Sequence, residues 1–250
     1  MSEQDIKQEI IKGRKFLKAE KWGIKFETDQ NKGIEAPPAQ KSYSKESELI
    51  DLIPASDIEV GEKSVKEVLD NRRSRRNFGE KSFSLEEFSF LVWSVQGLNS
   101  TREYFRTAPS AGARHPFETY VVINRVAGID CGLYRYLPIE HKLLVLKKGD
   151  LKEEFAEACL GQKFTKKSAV SFIWTAVPYR TEWRYSFLSH KVIALDAGHV
   201  CQNLYLASEA VGGGACAIGA YNQNKMDQLL GVDGEYEFSV YAAITGKKRR

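Results

Sequence analysis

The spacing of apolar residues divides the chain into helical and extended segments. Near-helical spacing predicts an amphipathic helix within residues 3–20, and Ser-x-x-Glu pairs at Ser64 and Ser84 predict two more helices that begin there. Further helices are expected over 151–160, 191–211 and 222–230. Buried strands are expected over 119–126, 168–177, 215–220 and 236–245, with a hairpin formed by 132–137 and 142–147.

This order of elements predicts the fold class. Helices and strands alternate too irregularly for a doubly wound α/β fold, so we expect one α+β domain over residues 61–250 with a mostly antiparallel or mixed sheet. Residues 1–60 are expected to form an N-terminal helical arm and an irregular lead-in that contains Pro37, Pro38 and Pro54. The helix at 191–211 carries almost no charge, so it should be central or lie in a subunit interface.

Composition and charge narrow the class of protein. A net charge of +4 on 250 residues is too small for a dedicated nucleic-acid binder. The first residues lack the basic and apolar regions of a signal peptide, and no stretch is long enough to span a membrane, so we expect a cytoplasmic protein. The four cysteines show no metal-binding spacing and fit small core residues in a reducing compartment, so no metal site is expected.

The segment Arg72-Arg73-Ser74-Arg75-Arg76 is the densest candidate binding element. Four guanidinium groups and one hydroxyl suit a phosphate group, because each guanidinium stays protonated and donates in a fixed fork. A second basic cluster, at 247–250, would repel the first unless an anion held them together. The alternative is a nucleic-acid-binding module that uses both clusters, whose binding would weaken steeply with salt.

A run of small residues between Pro109 and Pro116 is the second candidate element. Ser110 is expected to cap a one-turn helix, and Gly112 lets a flat ligand approach the backbone closely. The three glycines at 212–214 follow a helix and precede a strand, which is the reverse of a dinucleotide-binding turn.

Five motifs in order resemble the FMN-dependent nitroreductase family and, within it, the SagB-type dehydrogenase branch. The resemblance covers roughly residues 60–250 and implies a nitroreductase-like fold in an interlocked homodimer. The motifs are Arg-Arg-Ser-Arg-Arg-Asn-Phe at 72–78, Ala-Pro-Ser-Ala-Gly-Ala-Arg-His-Pro-Phe-Glu-Thr-Tyr at 108–120, Gly-Leu-Tyr-Arg-Tyr at 132–136, Asp-Ala-Gly-His at 196–199 and Cys-Ala-Ile-Gly-Ala at 216–220.

The resemblance implies a role for each matching residue. Residues that match the FMN phosphate site are Arg72, Arg73, Ser74, Lys247 and Arg249. Residues that match positions along the flavin ring are Arg76 near the pyrimidine end, Gln162 at the polar edge, the partner-supplied turn Pro109, Ser110 and Gly112, and the strand Ala217, Ile218, Gly219 and Ala220. A positive charge at the pyrimidine end would stabilise the reduced, anionic flavin.

The implied reaction is ping-pong hydride transfer through the flavin N5 between NAD(P)H and a small organic acceptor. Tyr185 and His115 are the candidate proton-transfer residues, although His115 equally fits a structural role in its turn. The azoline-oxidising branch usually carries Lys-Tyr where this chain has Arg184-Tyr185, and a guanidinium is a poor base. The enzymatic alternative therefore stays open: an azoline dehydrogenase that forms thiazoles or oxazoles in a modified peptide.

Overall fold

A seven-stranded antiparallel sheet forms the centre of the molecule, in a computed structural model that describes residues 1–99 and 105–249. The strands are β1 (Leu49–Asp51), β2 (Phe117–Ile123), β3 (Gly132–Leu137), β4 (Lys142–Lys148), β5 (Val170–Ala176), β6 (Gly213–Ile218) and β7 (Phe238–Lys247). Their order across the sheet is β1-β4-β3-β2-β5-β7-β6, and every paired neighbour is antiparallel. The predicted α+β class is confirmed, and the sheet is antiparallel rather than mixed.

Helices cover both faces of this sheet. They are α1 (Glu3–Leu17), α2 (Val65–Asn71), α3 (Leu85–Gln96), α4 (Lys152–Ala158), α5 (Tyr179–Tyr185), α6 (Ser189–Ala210) and α7 (Gln223–Leu230). On one face, α3 and α6 bury Phe88 and Leu204 against Trp174 of β5. On the other, α4 and α7 pack Phe155 and Met226 on a second apolar cluster. Each face of the central strands is therefore buried, which explains why these strands are apolar almost throughout.

Helix ends follow the local sequence signals. Ser84 accepts a hydrogen bond from the N–H of Glu87, whose carboxylate accepts from the N–H of Ser84, so the predicted capping box begins α3. The side chain of Ser64 accepts a hydrogen bond from the N–H of Glu67 at the start of α2. The side chain of Asn222 accepts from the N–H of Lys225 at the start of α7. Each such cap stabilises its helix by about 1 kcal/mol.

The lead-in before residue 60 is bound to the sheet. Its strand β1, which the sequence analysis missed, pairs with β4 at one edge. Arg106 donates to the Ala39 carbonyl at 2.6 Å, and Arg135 donates to the carbonyls of Lys41 and Ser42 at 3.0 Å each. Residues 39–53 therefore share the core of the domain, whereas α1 has no buried residue.

The long helix α6 has one buried and one open face. Its inner face packs on the sheet through Ile193, Val200 and Leu204. Leu195, on the outer face, leaves 54% of its surface exposed, which is a large fraction for a leucine in the longest helix of the chain. Among the residues that the structure describes, no helix is long and apolar enough to cross a bilayer.

Candidate active site

The segment Arg72–Arg76 lies along the outer edge of β6. The N–H of Arg75 donates to the carbonyl of Ala215 at 2.9 Å, and Ser74 and Ala215 form an isolated parallel bridge. Because β6 is the last strand of the sheet, the rest of its outer edge has no neighbouring strand. The basic segment is thus held beside open backbone.

Three guanidinium groups in this segment have no acidic partner. Within residues 1–99 and 105–249, no carboxylate lies within salt-bridge distance of Arg72, Arg73 or Arg76. The Arg72 guanidinium lies 5.5 Å from the centre of the Tyr205 ring, and the Arg73 guanidinium donates back to the main-chain carbonyls of Asp70 and Arg72. Unpaired guanidinium groups around one hydroxyl form a receptor for an anion.

Tyr205 orients the hydroxyl of Ser74. The N–H of Ala217 donates to Tyr205 Oη at 2.8 Å, and Tyr205 Oη lies 3.0 Å from Ser74 Oγ. Because Oη already accepts one hydrogen bond, its own proton can be donated to Ser74, which leaves the Ser74 proton for an anion. The Ala217 N–H, which the resemblance assigns to the flavin, is used by this internal contact.

Arg76, the candidate for the pyrimidine end, and Gln162, the candidate for the polar edge, lie on the second face of the sheet. Arg76 stacks on Phe164 at 5.7 Å, and burial raises the pKa of the neighbouring Cys216 thiol while the charge of Arg76 opposes that shift. Gln162 donates to the carbonyl of Ala220 at 2.9 Å. The structure therefore brings Gln162 to the end of β6, and the contact of both with a flavin stays a prediction.

The C-terminal basic cluster converges on the same region, but carboxylates hold it there. The ammonium of Lys247 is buried and pairs with Glu87, and it also donates to the Val211 carbonyl at 2.7 Å. Lys247 is therefore engaged by an internal ion pair, and its expected role as a phosphate ligand stays a prediction. Arg249 is exposed, and its role stays a prediction.

Glu209 bridges the two basic clusters. Its buried carboxylate pairs with Lys248 and lies 3.8 Å from the Nε of Arg75. The two basic clusters repel each other and need a negative charge between them, and the carboxylate of Glu209 in α6 supplies it. Convergence of the clusters is thus no evidence for a bound phosphate. Only Arg72, Arg73 and Arg76, which pair with no carboxylate in the described residues, point to an anion site.

Open space begins where β6 ends. Gly219 is exposed, and a Cβ built on it would meet no atom within 4 Å. Gly219 also lines a cavity of about 460 Å³ between α6 and β7, together with Ala194, Gly198 and Val240. Four residues of extended chain separate Ala215 from Gly219, or roughly 13 Å. Along the chain, the open cavity thus begins roughly 13 Å from the anion receptor.

A second cluster surrounds the small-residue turn. Asp196 of α6 accepts from Ser110 Oγ at 2.6 Å and from the N–H of Ala111 at 3.0 Å. Ser110 Oγ in turn accepts from the N–H of His115 at 2.9 Å. Ser110 was expected to cap the short helix Ala111–Ala113, but its side chain makes no capping bond there because Asp196 binds it.

Gly112 and Tyr185, which are both predicted site residues, are in contact. A Cβ on Gly112 would lie 2.6 Å from Tyr185 Oη and 2.8 Å from Arg184 Nε, and the positive φ of +58° also favours glycine. Tyr185 Oη makes no hydrogen bond to any residue that the structure describes, and the Trp22 ring packs edge-on against Tyr185 at 5.8 Å. Trp22, in the N-terminal lead-in, is a contributor that sequence reasoning missed.

His115 is buried and neutral. Burial, reinforced by the charges of Arg106, Arg114 and Arg180, lowers its pKa to about 3. Near neutral pH the imidazole is therefore uncharged and keeps a single ring N–H, and the role of His115 in proton transfer stays a prediction.

The two clusters sit at different levels of α6. Asp196 holds the turn and Tyr205 contacts the basic segment nine residues later, so the helical rise separates them by about 13 Å. Ser110 and Gly112 are thus assembled at the level of Asp196, near Tyr185, while Arg72 and Ser74 lie at the level of Tyr205. The cavity at Gly219 borders α6 at Ala194 and Gly198, on either side of Asp196.

The chain is similar to two curated sequences. It is 32% identical over 190 residues to MJ1384 of Methanocaldococcus jannaschii, a protein assigned to the nitroreductases; the match covers 76% of this chain and 94% of that protein. It is 36% identical over 121 residues to the trifolitoxin-processing protein TfxB of Rhizobium leguminosarum bv. trifolii, covering 46% of this chain. That match spans only 32% of TfxB.

Solved structures share the fold at lower identity. A protein from Ralstonia eutropha JMP134 assigned to the nitroreductases matches 91% of this chain and all of its own, with TM-score 0.70 and 22% identity. A chain of the Escherichia coli microcin synthetase McbBCD complex with truncated pro-MccB17 matches 75% of this chain and 74% of its own, with TM-score 0.62 and 15% identity. An FMN-dependent nitroreductase from Clostridium difficile R20291 covers 74% and 88%, with TM-score 0.51 and 14% identity.

The family model described as "Nitroreductase family" matches residues 69–247, which include both clusters of the site. The basic segment, the turn and the strand end thus fall within one recognised domain. This chain belongs to the nitroreductase family.

Proposed function

We propose that the protein is an FMN-dependent oxidoreductase that passes hydride from NAD(P)H to a small organic acceptor. The observation that carries this proposal is the set of unpaired guanidinium groups of Arg72, Arg73 and Arg76 around Ser74, next to the open space at Gly219. The FMN dependence of the C. difficile nitroreductase, which shares the fold, supports it.

The residues present fit a flavin phosphate. Arg72 and the outward proton of Ser74 supply charge-assisted and neutral donors, and Arg76 supplies a cation toward the end of β6. When bound, the flavin would supply two-electron chemistry, which the protein side chains lack. The chain's own part is to hold the phosphate, orient the ring and keep the acceptor beside it.

We propose that two copies complete each site. The turn at Pro109–Gly112 lies about 13 Å along α6 from the contact of Tyr205 with Ser74, so the turn does not contact the anion receptor of its own chain. The exposed outer face of α6, with Leu195 at its centre, is the surface that a second copy would cover. Light scattering after gel filtration should give a dimer, and a monomer at micromolar concentration would contradict this part.

The visible spectrum of the purified full chain is the primary test. We expect flavin absorption, release of the pigment on heating and its identification as FMN by mass. NADH or NADPH should bleach the pigment, and a nitroaromatic acceptor should restore it. A colourless protein that neither retains nor binds added FMN would overturn the proposal.

The azoline dehydrogenase of the SagB-type branch is a second candidate. The unbonded hydroxyl of Tyr185 against Gly112 supports it, as do the likeness to the trifolitoxin-processing protein TfxB and the fold shared with the microcin synthetase. Arg184 stands where a lysine base would be expected, so Tyr185 would have to hold the proton alone. Loss of two hydrogen atoms from an azoline-containing peptide, followed by mass spectrometry, separates the two candidates.

A further inference from the structure

A second cavity lies beside Trp22, which contacts Tyr185, and six of its ten lining residues precede the range 69–247 that matches the family. It has a volume of about 240 Å³ and sits between the C-terminal end of α1 and the N-terminal end of α6. Its lining residues come from the N-terminal arm and from the connection between α5 and α6: Lys15, Phe16, Lys18, Glu20, Lys21, Trp22, Phe187, Leu188, His190 and Lys191.

The charge of this cavity is strongly positive. Four lysines and one carboxylate line it, and the carboxylate, Glu20, pairs with Lys18 at 2.8 Å. Lys191 donates to the Leu17 carbonyl, which neutralises the negative end of α1. Lys15 and Lys21 pair with no carboxylate in the described part of the chain. The uncapped N-terminal end of α6 adds partial positive charge from the opposite wall.

The remaining walls are aromatic. Phe16, Trp22 and Phe187 line the cavity, and the Lys21 ammonium lies 5.7 Å from the centre of the Phe187 ring. Aromatic faces favour flat rings, and cations between them favour a charged substituent on such a ring. The volume falls just below the roughly 300–1,000 Å³ of pockets for drug-sized ligands, so one ring with its substituent fits and a peptide does not.

The arm that forms this cavity is fixed to the body of the protein. The N–H of Gln30 donates to the Trp183 carbonyl at 3.0 Å, and the Trp183 indole donates to the Ile34 carbonyl at 2.8 Å. Phe26 packs on Phe187 with ring centres 4.7 Å apart. Trp22, which also contacts Tyr185, therefore joins the cavity to the turn cluster of the candidate active site.

We propose that this cavity binds a single-ring aromatic carboxylate, as a ligand site separate from the proposed flavin site. The lysines would pair with the carboxylate, and Phe16, Trp22 and Phe187 would pack on the ring. Trp22 lies between this cavity and Tyr185, so a bound ligand would affect the candidate active site through that shared side chain.

The test uses the full-length protein as purified and two probes, 4-nitrobenzoate and its uncharged methyl ester. Calorimetry without reductant measures binding of each. In the double variant Lys15→Gln/Lys21→Gln, affinity for 4-nitrobenzoate should fall about tenfold while affinity for the ester is unchanged. Lys7→Gln/Lys12→Gln is the matched control, on the same helix but outside the cavity.

A second readout locates the probe. Quenching of protein fluorescence by 4-nitrobenzoate should lose its Trp22 component in Trp22→Phe, which keeps the aromatic wall. Equal binding of 4-nitrobenzoate by the wild type and the lysine double variant would overturn the proposal. Lysine-dependent binding of 4-nitrobenzoate by a protein that holds no FMN would support the cavity and contradict the proposed oxidoreductase function. The two proposals can therefore fail separately.

Discussion

Two groups of arginines in this chain have opposite surroundings. Arg72, Arg73 and Arg76 lie at an open sheet edge, exposed or half-exposed, without carboxylate partners among the described residues. Arg106, Arg135 and Arg180 are buried, with 5%, 3% and 3% of their surfaces exposed. One carboxylate, Glu118, accepts from Arg180 at 2.5 Å and lies 3.9 Å from Arg135. The comparison teaches that partners, rather than residue type, decide whether an arginine is available to a ligand.

The buried group is structural, and its charge is costly. Desolvation lowers the pKa of Arg106 to about 10, with the nearby positive charge of Arg180 adding to the effect. Its guanidinium and that of Arg135 bind main-chain carbonyls of residues 39–42, which ties the lead-in to the sheet. The buried guanidinium groups are engaged by Glu118 and by these carbonyls, whereas Arg72 and Arg76 donate to no residue that the structure describes and keep their donors for an added anion.

The largest expected effect comes from removing the buried carboxylate of Glu118, which faces these arginines. Glu118→Gln leaves three buried guanidinium groups without a counter-charge, so we expect a loss of about 3–5 kcal/mol in the free energy of unfolding. At this chain length, that corresponds to a fall of about 10 °C in Tm. Urea and thermal unfolding measure both quantities. Glu157 and its partner Lys225 are both exposed, so Glu157→Gln should change the free energy of unfolding by no more than about 0.5 kcal/mol. Equal losses in the two variants would contradict the difference between buried and exposed charges.

The pH dependence of stability tests the same buried group through His115. Its folded pKa of about 3 lies below the usual value of 6.5, so the unfolded chain binds more protons between these values. The stabilising contribution is present above pH 6.5 and is lost as pH falls toward 3, by about 1.4 kcal/mol per pH unit. His115→Gln should remove this slope. Urea unfolding at pH 7, 6 and 5 is the measurement, and parallel profiles for both proteins would contradict it.

The exposed group is tested by Arg72→Ala. Loss of one charge-assisted phosphate contact of about 1.5–3 kcal/mol should weaken FMN binding by roughly 10- to 100-fold. Stability without FMN should be unchanged, since Arg72 has no acidic partner in the described residues. Arg73→Ala should have a smaller effect, because that guanidinium already donates to two carbonyls. Flavin release by ultrafiltration measures the affinities, and full occupancy in Arg72→Ala would refute the assignment.

The smallest expected effect comes from two glycine variants, which separate the contact with Tyr185 from backbone strain. Gly112→Ala and Gly128→Ala both place alanine at positive φ, +58° and +81°, and each should cost about 1–2 kcal/mol in stability. Only Gly112→Ala also brings a Cβ to 2.6 Å from Tyr185 Oη, so only that variant should lower turnover. Unfolding curves and steady-state rates for both variants check this. Equal rates would show that Tyr185 is not needed in its present position.

Much of the fold was predictable because it depends on local signals. The hairpin over 132–137 and 142–147 matches β3 and β4 to within a residue, and the Ser84 box begins α3 as expected. Apolar runs identified β5 and α6 for the same reason. Strand β1 was missed because three residues of pairing leave no periodic pattern, and its stability comes from β4 rather than from its own sequence.

The site was harder to predict, because it depends on pairings between distant residues. The sequence places Lys247 in a basic tail, but only the fold brings it to Glu87, 160 positions away. Asp196 appeared as part of a motif, and its bonds to Ser110 and Ala111 emerge from the packing of α6 on the turn. Trp22 lies outside every matched motif, and its contact with Tyr185 requires the whole lead-in to fold back.

The open edge of β6 has a consequence for how copies of this chain avoid one another. An unpaired strand edge is a template for intermolecular pairing and aggregation. Here Arg72, Arg73 and Arg76 stand beside that edge, so a second copy approaching strand to strand would meet like charge. The cationic segment therefore acts as a gatekeeper against fibre-like association, and an anion that neutralises it would need to cover the same edge.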